Sequence, residues 1–223
     1  MVQGRFGFNE TTPEKLQLDA GEFWANFDIE AFLADAQDEQ TDVTDLADYG
    51  LNAEEAIRLG ATEGGGSFDA NRDRNSMDFD GKPGPTKGME RKEADGVSPE
   101  LSVEVLEFTE ENIKMAVFGA DVNELDDEAI TDVVEITGGE IQINDYIDNI
   151  VFIGKRADGK PVMLELRNCL AEGFGFDTDT GDESTIEINF QAHFDVEECT
   201  VDQFGAKKWV EPWRLVMYSD DAA

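Results

Sequence analysis

Residues 185–194, TIEINFQAHF, alternate strictly. Ile186, Ile188, Phe190, Ala192 and Phe194 fall on one side of an extended backbone, and Glu187, Asn189, Gln191 and His193 on the other. A period of two with one apolar side predicts a half-buried β-strand. ELSVEV, 100–105, repeats the pattern, with Leu101, Val103 and Val105 against Ser102 and Glu104. In GEIQINDYIDNIVFIGK, 139–155, Ile141 and Ile143 alternate with Gln142 and Asn144 before an apolar run at 150–153, which predicts strand. Asp158-Gly159 predicts a tight hairpin turn into PVMLELRNCLAEGFGF, 161–176.

One segment changes period. In TEENIKMAVFG, 109–119, Thr109 suits an N-cap, Glu110 and Glu111 suit the positive end of the helix dipole, and Gly119 suits the residue past the end. Phe108 and Ile113 have the spacing of a hydrophobic staple, and Ile113, Ala116 and Val117 form a narrow stripe for the face of a sheet. Residues 20–33, with Phe23, Trp24, Phe27, Ile29, Phe32 and Leu33, suit a strand running into a short helix, and the periodicity does not decide.

Breakers and acidic runs set the remaining divisions. Residues 1–20 read as an arm, broken by Gly4, Gly7 and Pro13 and carrying Phe6 and Phe8. Residues 35–56 read as an exposed acidic loop or insertion, with Asn52 capping a brief helix over AEEAIRL that Gly60 ends. Gly64, Gly65 and Gly66 read as a turn or hinge that feeds the loosely alternating SFDANRDRNSMDFDG. A Pro/Gly-containing loop follows over 81–98, with Pro83 and Pro85. The expected organisation is a single β domain over 21–218 and a short tail at 219–223. Strands joined by hairpins, plus one helix, predict a mainly β fold, a sandwich or barrel.

Charge is what narrows the function. Fifty-two acids face 17 bases, a formal charge of −35, in a chain of 223 residues that is 40% hydrophobic and has 15 Phe. The apolar content supports a core, and the acidity opposes tight binding of nucleic-acid phosphate. It suits a solubilising surface, adaptation to high salt, or a surface past which a polyanion slides. Cys169 and Cys199 make no disulfide framework. The first residues have no signal-like apolar core, and no run approaches the roughly 20 apolar residues of a membrane helix. The expected compartment of synthesis is a reducing cytoplasm.

Candidate chemistry fails motif by motif. The glycines at 60 and 64–66 lack the lysine of a phosphate loop and the helix of a dinucleotide site. DTDTGDEST, with Asp177, Asp179 and Asp182 around Gly181, has its glycine one position early for a calcium loop and Ile188 where a bidentate Glu belongs. His193 is the sole histidine, too few for a recognisable zinc set. No cofactor, metal or catalytic residue is expected.

An ordered series of segments carries a resemblance. LDAGEFWANFD, LGATEGGGSF, LEFTEENIKMAVFGAD, DNIVFIGKRADGKPVMLELRNC and INFQAHFD together resemble the major tail tube proteins of long-tailed, siphovirus-like bacteriophages, over most of 16–196. The acidic stretch at 35–56 and the WVEPWRLVMY segment depart from it. The resemblance implies two packed antiparallel sheets with a flanking helix, and a structural virion protein without catalysis. It further implies hexameric rings stacked into a tube through which DNA passes unbound, assembled in the host bacterial cytoplasm. Its implied partners are itself and the tape-measure, tail-tip and tail-terminator proteins, with no membrane insertion.

Asp69, Asp73, Glu104 and Glu187 are then the channel-lining candidates, and Phe6, Phe8, Pro83 and Pro85 the inter-ring contacts. The rival readings are the tube protein of a contractile tail or secretion system, and a salt-adapted acidic β-sandwich enzyme or binding protein.

Overall fold

In a computed structural model the chain is described over residues 21–37, 46–51, 56–76, 90–97, 99–117, 140–156, 161–177, 184–201 and 207–217. Its elements are β1 (Glu22–Ala25), α1 (Ile29–Gln37), β2 (Ile57–Arg58), β3 (Thr62–Asp69), β4 (Arg72–Ser76), β5 (Glu90–Val97) and β6 (Glu100–Val105). They continue with α2 (Glu110–Ala116), β7 (Ile147–Lys155), β8 (Pro161–Asp177), β9 (Thr185–Ala192), β10 (Thr200–Val201), β11 (Lys207–Lys208) and β12 (Trp213–Met217). Eight strands form one antiparallel sheet in the order β2-β1-β7-β8-β9-β6-β3, with β12 added beside β8. The pairs β4-β5 and β10-β11 are separate.

Strand β8 organises the sheet. Its first half pairs with β7 along one edge and with β12 along the other, where Val162 to Leu166 face Met217 to Trp213. From Cys169 onward β9 takes over the place of β12. At the changeover Asn168 adopts φ +50°, a left-handed conformation that asparagine tolerates better than most residues. Its side-chain amide donates to the carbonyl of His193 at 3.3 Å, and its own carbonyl accepts the His193 N–H at 3.1 Å. One residue is thereby inserted into the alternation. Leu164 and Leu166 face the core before it, Cys169 and Ala171 after it.

The sheet therefore has two wings that share β8 and turn their inner faces together. Phe23, Ile150 and Leu166 of the first wing join Leu101, Val103, Ile188 and Phe190 of the second in one core. The mainly β architecture holds, whereas two separate sheets are replaced by one continuous hydrogen-bonded sheet. The reason is that β8, at 17 residues, is long enough to serve both halves.

The first wing is buried on its outer face too. Trp24, Val151 and Met163 pack there with Phe27, Ile29, Phe32 and Tyr49, under α1. The chain is thus strand at Glu22–Ala25 and helix at Ile29–Gln37, so the described residues hold α1 in addition to the helix expected after Thr109. The Asp28 carboxylate accepts the Ala31 N–H at 3.0 Å and starts α1. Buried Asn149 clamps the strand-to-helix turn, accepting from the Phe27 N–H and donating to its carbonyl, both at 2.8 Å. The same amide donates to buried Glu165 at 3.1 Å. Glu165 is compensated by Arg167 at 3.1 Å and by Arg214, which also pairs with Glu30 on α1. Donors from Asn149, Arg167 and Arg214 thus converge on one buried carboxylate and tie β7, β8 and β12 together.

Several local expectations change. Thr109 does cap α2, its hydroxyl accepting from the Asn112 N–H at 3.2 Å. The buried face of that helix, however, is Asn112 and Ala116, because the Asn112 amide donates to the carbonyls of Leu59 at 2.9 Å and Glu107 at 3.0 Å. Phe108 is half exposed and sits edge-on to Phe176 at 6.4 Å. Ile141 and Ile143 are not in a strand. The Asp145 carboxylate accepts the Gln142 N–H at 2.6 Å and folds 143–145 into a 3₁₀ turn, leaving Ile143 89% exposed.

Ile57 and Arg58, expected in a helix, are extended against β1. Tyr49, inside the segment read as an exposed acidic loop, is buried and donates its hydroxyl to Asp35 at 3.1 Å. Residues 90–97 of the expected Pro/Gly loop are strand β5, in register with β4. The segment read as a terminal departure supplies β12. The arm at 1–20, Asn52, Pro83, Pro85, Gly119, Asp158-Gly159, Asp179, Gly181, Asp182 and the tail lie outside the described residues.

Two measurements test this arrangement. Asn168→Val forces a β-branched residue into the left-handed region and should cost about 2 kcal/mol or more in denaturant unfolding, while Asn168→Gly loses less than about 1 kcal/mol. Cys169 is fully buried, and burial pushes its thiol up to about 12. A thiol reagent should therefore modify one cysteine, Cys199, in the native protein and two in denaturant.

Candidate functional site

The outer face of the second wing is unlike every other surface of the sheet. Alternation turns Leu101, Val103, Ile186, Ile188 and Phe190 inward, so Glu100, Ser102, Glu104, Glu187, Asn189 and Gln191 must turn outward. β3, β6, β9 and residues 170–177 contain no Lys or Arg. Glu104 stands directly opposite Glu187, and Asp69 directly opposite Glu100. Like charges facing each other across strands are destabilising by up to about 1 kcal/mol per pair.

Side-chain amides and a hydroxyl are among the local partners. Asn189 donates to Glu187 at 3.4 Å, Asn71 donates to Asp69 at 2.9 Å, and the Ser102 hydroxyl donates to the Asn189 side-chain carbonyl. These hydrogen bonds hold the carboxylates in place without removing their charge.

Three sequence candidates, Asp69, Glu104 and Glu187, thus share one face on three neighbouring strands. Asp73 does not join them. It lies in β4, whose pairing with β5 carries the β3-β6 hairpin beyond the main sheet. Glu100 belongs to the face and was not singled out, although its signal was available in the same alternation that marks Ser102 and Glu104. Phe6, Phe8, Pro83 and Pro85 lie outside the described residues.

The three glycines are inside β3, where they build a bulge; the turn before the strand ends earlier. β3 uses four steps, Thr62 to Gly66, where β6 uses two, Val105 to Val103. Gly64 and Gly65 have φ +69° and +83°, which L side chains resist. Gly66 is required for a different reason, since a Cβ there would lie 2.6 Å from the Phe23 ring and 3.0 Å from the Ser102 carbonyl. Above the bulge, Glu63, Ser67, Ser102, Glu104 and Glu187 wall a shallow polar hollow of about 220 Å³.

His193 sits at the β8 bend, its Nδ1 3.2 Å from the Asn168 carbonyl and its ring edge-on to Tyr146 at 5.1 Å. Among the described residues no three His, Cys, Asp or Glu side chains gather where they could hold a metal, and no helix is long and apolar enough to cross a membrane. No protein-family model matches the chain, and no curated protein matches it.

The repulsion between facing carboxylates is measurable. Glu187→Lys turns the pair with Glu104 attractive and should raise stability by about 0.5–1 kcal/mol at low ionic strength, with the gain shrinking in 1 M salt.

Proposed function

We propose that this chain is the subunit of a bacteriophage tail tube, a structural virion protein that assembles into stacked hexameric rings. The observation that carries the reading is the outer face of the second wing, on whose strands acid faces acid and no base occurs. A solvent-facing sheet gains nothing from such a pattern. A sheet lining a channel for DNA does, because phosphate held by lysine or arginine would stall, while carboxylates repel it and keep it moving.

The edges of the same wing support the reading. Among the described residues β3 has a strand partner on one side only, and residues 170–177 of β8 likewise. Two open edges on opposite sides of one four-stranded wing suit head-to-tail joining of neighbours, which a ring closes. Closure also removes edges that otherwise invite disordered aggregation. In this reading Asp69, Glu100, Glu104 and Glu187 line the channel. Phe6, Phe8, Pro83 and Pro85 contact the next ring, and the tape-measure, tail-tip and tail-terminator proteins meet the tube along its bore and at its ends.

Electron microscopy of the concentrated pure protein tests this directly, with rings and hollow tubes of uniform width as the expected result. A chain that stays monomeric at every concentration and salt level would reject it. Asp69→Lys and Glu187→Lys test the lining. Tubes assembled from the doubly substituted chain should retain duplex DNA that wild-type tubes release, and equal release would remove both residues from the channel.

A further inference from the structure

The first wing is broader than the second wing that covers it, and its margin stays uncovered. A row of apolar residues, Phe23, Phe152, Leu164 and Leu215, runs in register across β1, β7, β8 and β12. Phe23 is buried, yet Leu215 at the far end is 49% exposed, and Met217, next on that side of β12, is 60% exposed. β12 is also an edge. The Arg167 N–H donates to the Pro212 carbonyl at 2.8 Å, and alternation from that bond turns the backbone groups of Arg214 and Val216 toward β8. Those of Trp213, Leu215 and Met217 turn the other way, where among the described residues β12 has no strand partner. The side chains of the same three residues share one face, because Val216 packs toward α1 and Arg214 pairs there with Glu30. One strand thus presents open hydrogen-bonding groups and uncovered apolar side chains together.

This edge complements itself. Trp213 and Met217 are spaced evenly about Leu215, so a second β12 laid antiparallel about a two-fold axis sets Leu215 against Leu215 and Trp213 against Met217. Each such pair exchanges both of its N–H···O bonds. The exposed apolar residues are then covered, Leu215 by its own copy and Met217 by an indole, a favourable contact for a thioether. Charge favours the same partner. Copies of a chain at −35 repel one another, and the open edges at β3 and residues 170–177 carry Glu63, Asp69, Glu172 and Asp177. β12 contains no acid, and its one base is engaged by Glu165 and Glu30. In the paired strands that base stands opposite Val216, so no like charges meet. We propose that the free chain forms a two-fold dimer through β12, joining two first wings into one sheet. The contact closes on itself, which uses up the edge instead of extending it. It leaves β3 and residues 170–177 free and does not depend on whether the chain builds tubes.

Cross-linking reads the pairing. Hydrogen-bonded antiparallel partners have Cα atoms about 5.5 Å apart, within the roughly 4.4–6.8 Å that a disulfide spans. The background is Cys199→Ser, which leaves only the buried Cys169. In it, Leu215→Cys should yield covalent dimer under mild oxidation about tenfold faster than Ile143→Cys, whose site is more exposed. Equal rates mean random collision and overturn the pairing. Sedimentation tests it without a thiol. The wild-type chain should show dimer rising with concentration, and Leu215→Pro should weaken that dimer about tenfold. The Leu215 N–H points away from β8, so this substitution takes a bond from the dimer and none from the fold, which circular dichroism and the unfolding midpoint check. Leu215→Glu, which sets carboxylate against carboxylate, should act alike. A wild-type chain without dimer at any concentration, or dimers of equal strength in all three chains, overturns the proposal. Electron microscopy of the same samples separates the two readings, since tubes formed by chains that give no β12 dimer reject the pairing and leave the tube reading intact.

Discussion

Every large feature of this protein depends on the pairing of one strand on both sides of one bend. The backbone of β8 supplies hydrogen bonds to β7, β12 and β9, so each wing inherits its register from the same 17 residues. A slip by one residue would turn Leu164 and Leu166 outward and Glu165 into the core. Asn168 resets the alternation at the point where the neighbouring strand changes, allowing both wings to point apolar residues at a common interior. Both wings thus share the hydrogen bonds of one strand, and their common core includes residues of each.

Much of that was legible in the sequence where one side of an element is apolar and the other polar. β6 and β9 alternate without interruption and came out as expected, and the Thr109 cap was visible because its chemistry is local. What was illegible had non-local causes. The shared role of β8 depends on a left-handed Asn168, which no periodicity announces, and a hidden bulge scrambles the alternation on either side of it. Ile143 resembles the start of a strand until Asp145 folds it into a turn. Tyr49 lies in an acidic segment whose composition suggests exposure, yet its ring packs against Phe27 and Phe32. Leu33 and Phe32 belong to a helix too short for its period to be told from that of a strand.

The candidate site divides the same way. Asp69, Glu104 and Glu187 could be placed on polar sides of strands, and it took the register to show that those sides are one surface and that carboxylates face each other on it. Asp73 follows the same alternation in sequence, but the main sheet ends before β4 begins. For the glycines, loss of the phosphate-loop reading followed from missing chemistry. Their division of labour, two for a left-handed backbone and one for contact with Phe23, needed the fold.

The uncovered margin of the first wing has a consequence for how the chain is threaded. Gly21 precedes β1 at this margin and Met217 ends β12 there, with only β7 and β8 between the two strands. Three strand spacings amount to about 14 Å. The order in which the elements occur along the polypeptide is therefore not dictated by where they sit in the sheet. A linker of about five residues would join Met217 to Gly21, and the same architecture could begin and end at any other loop.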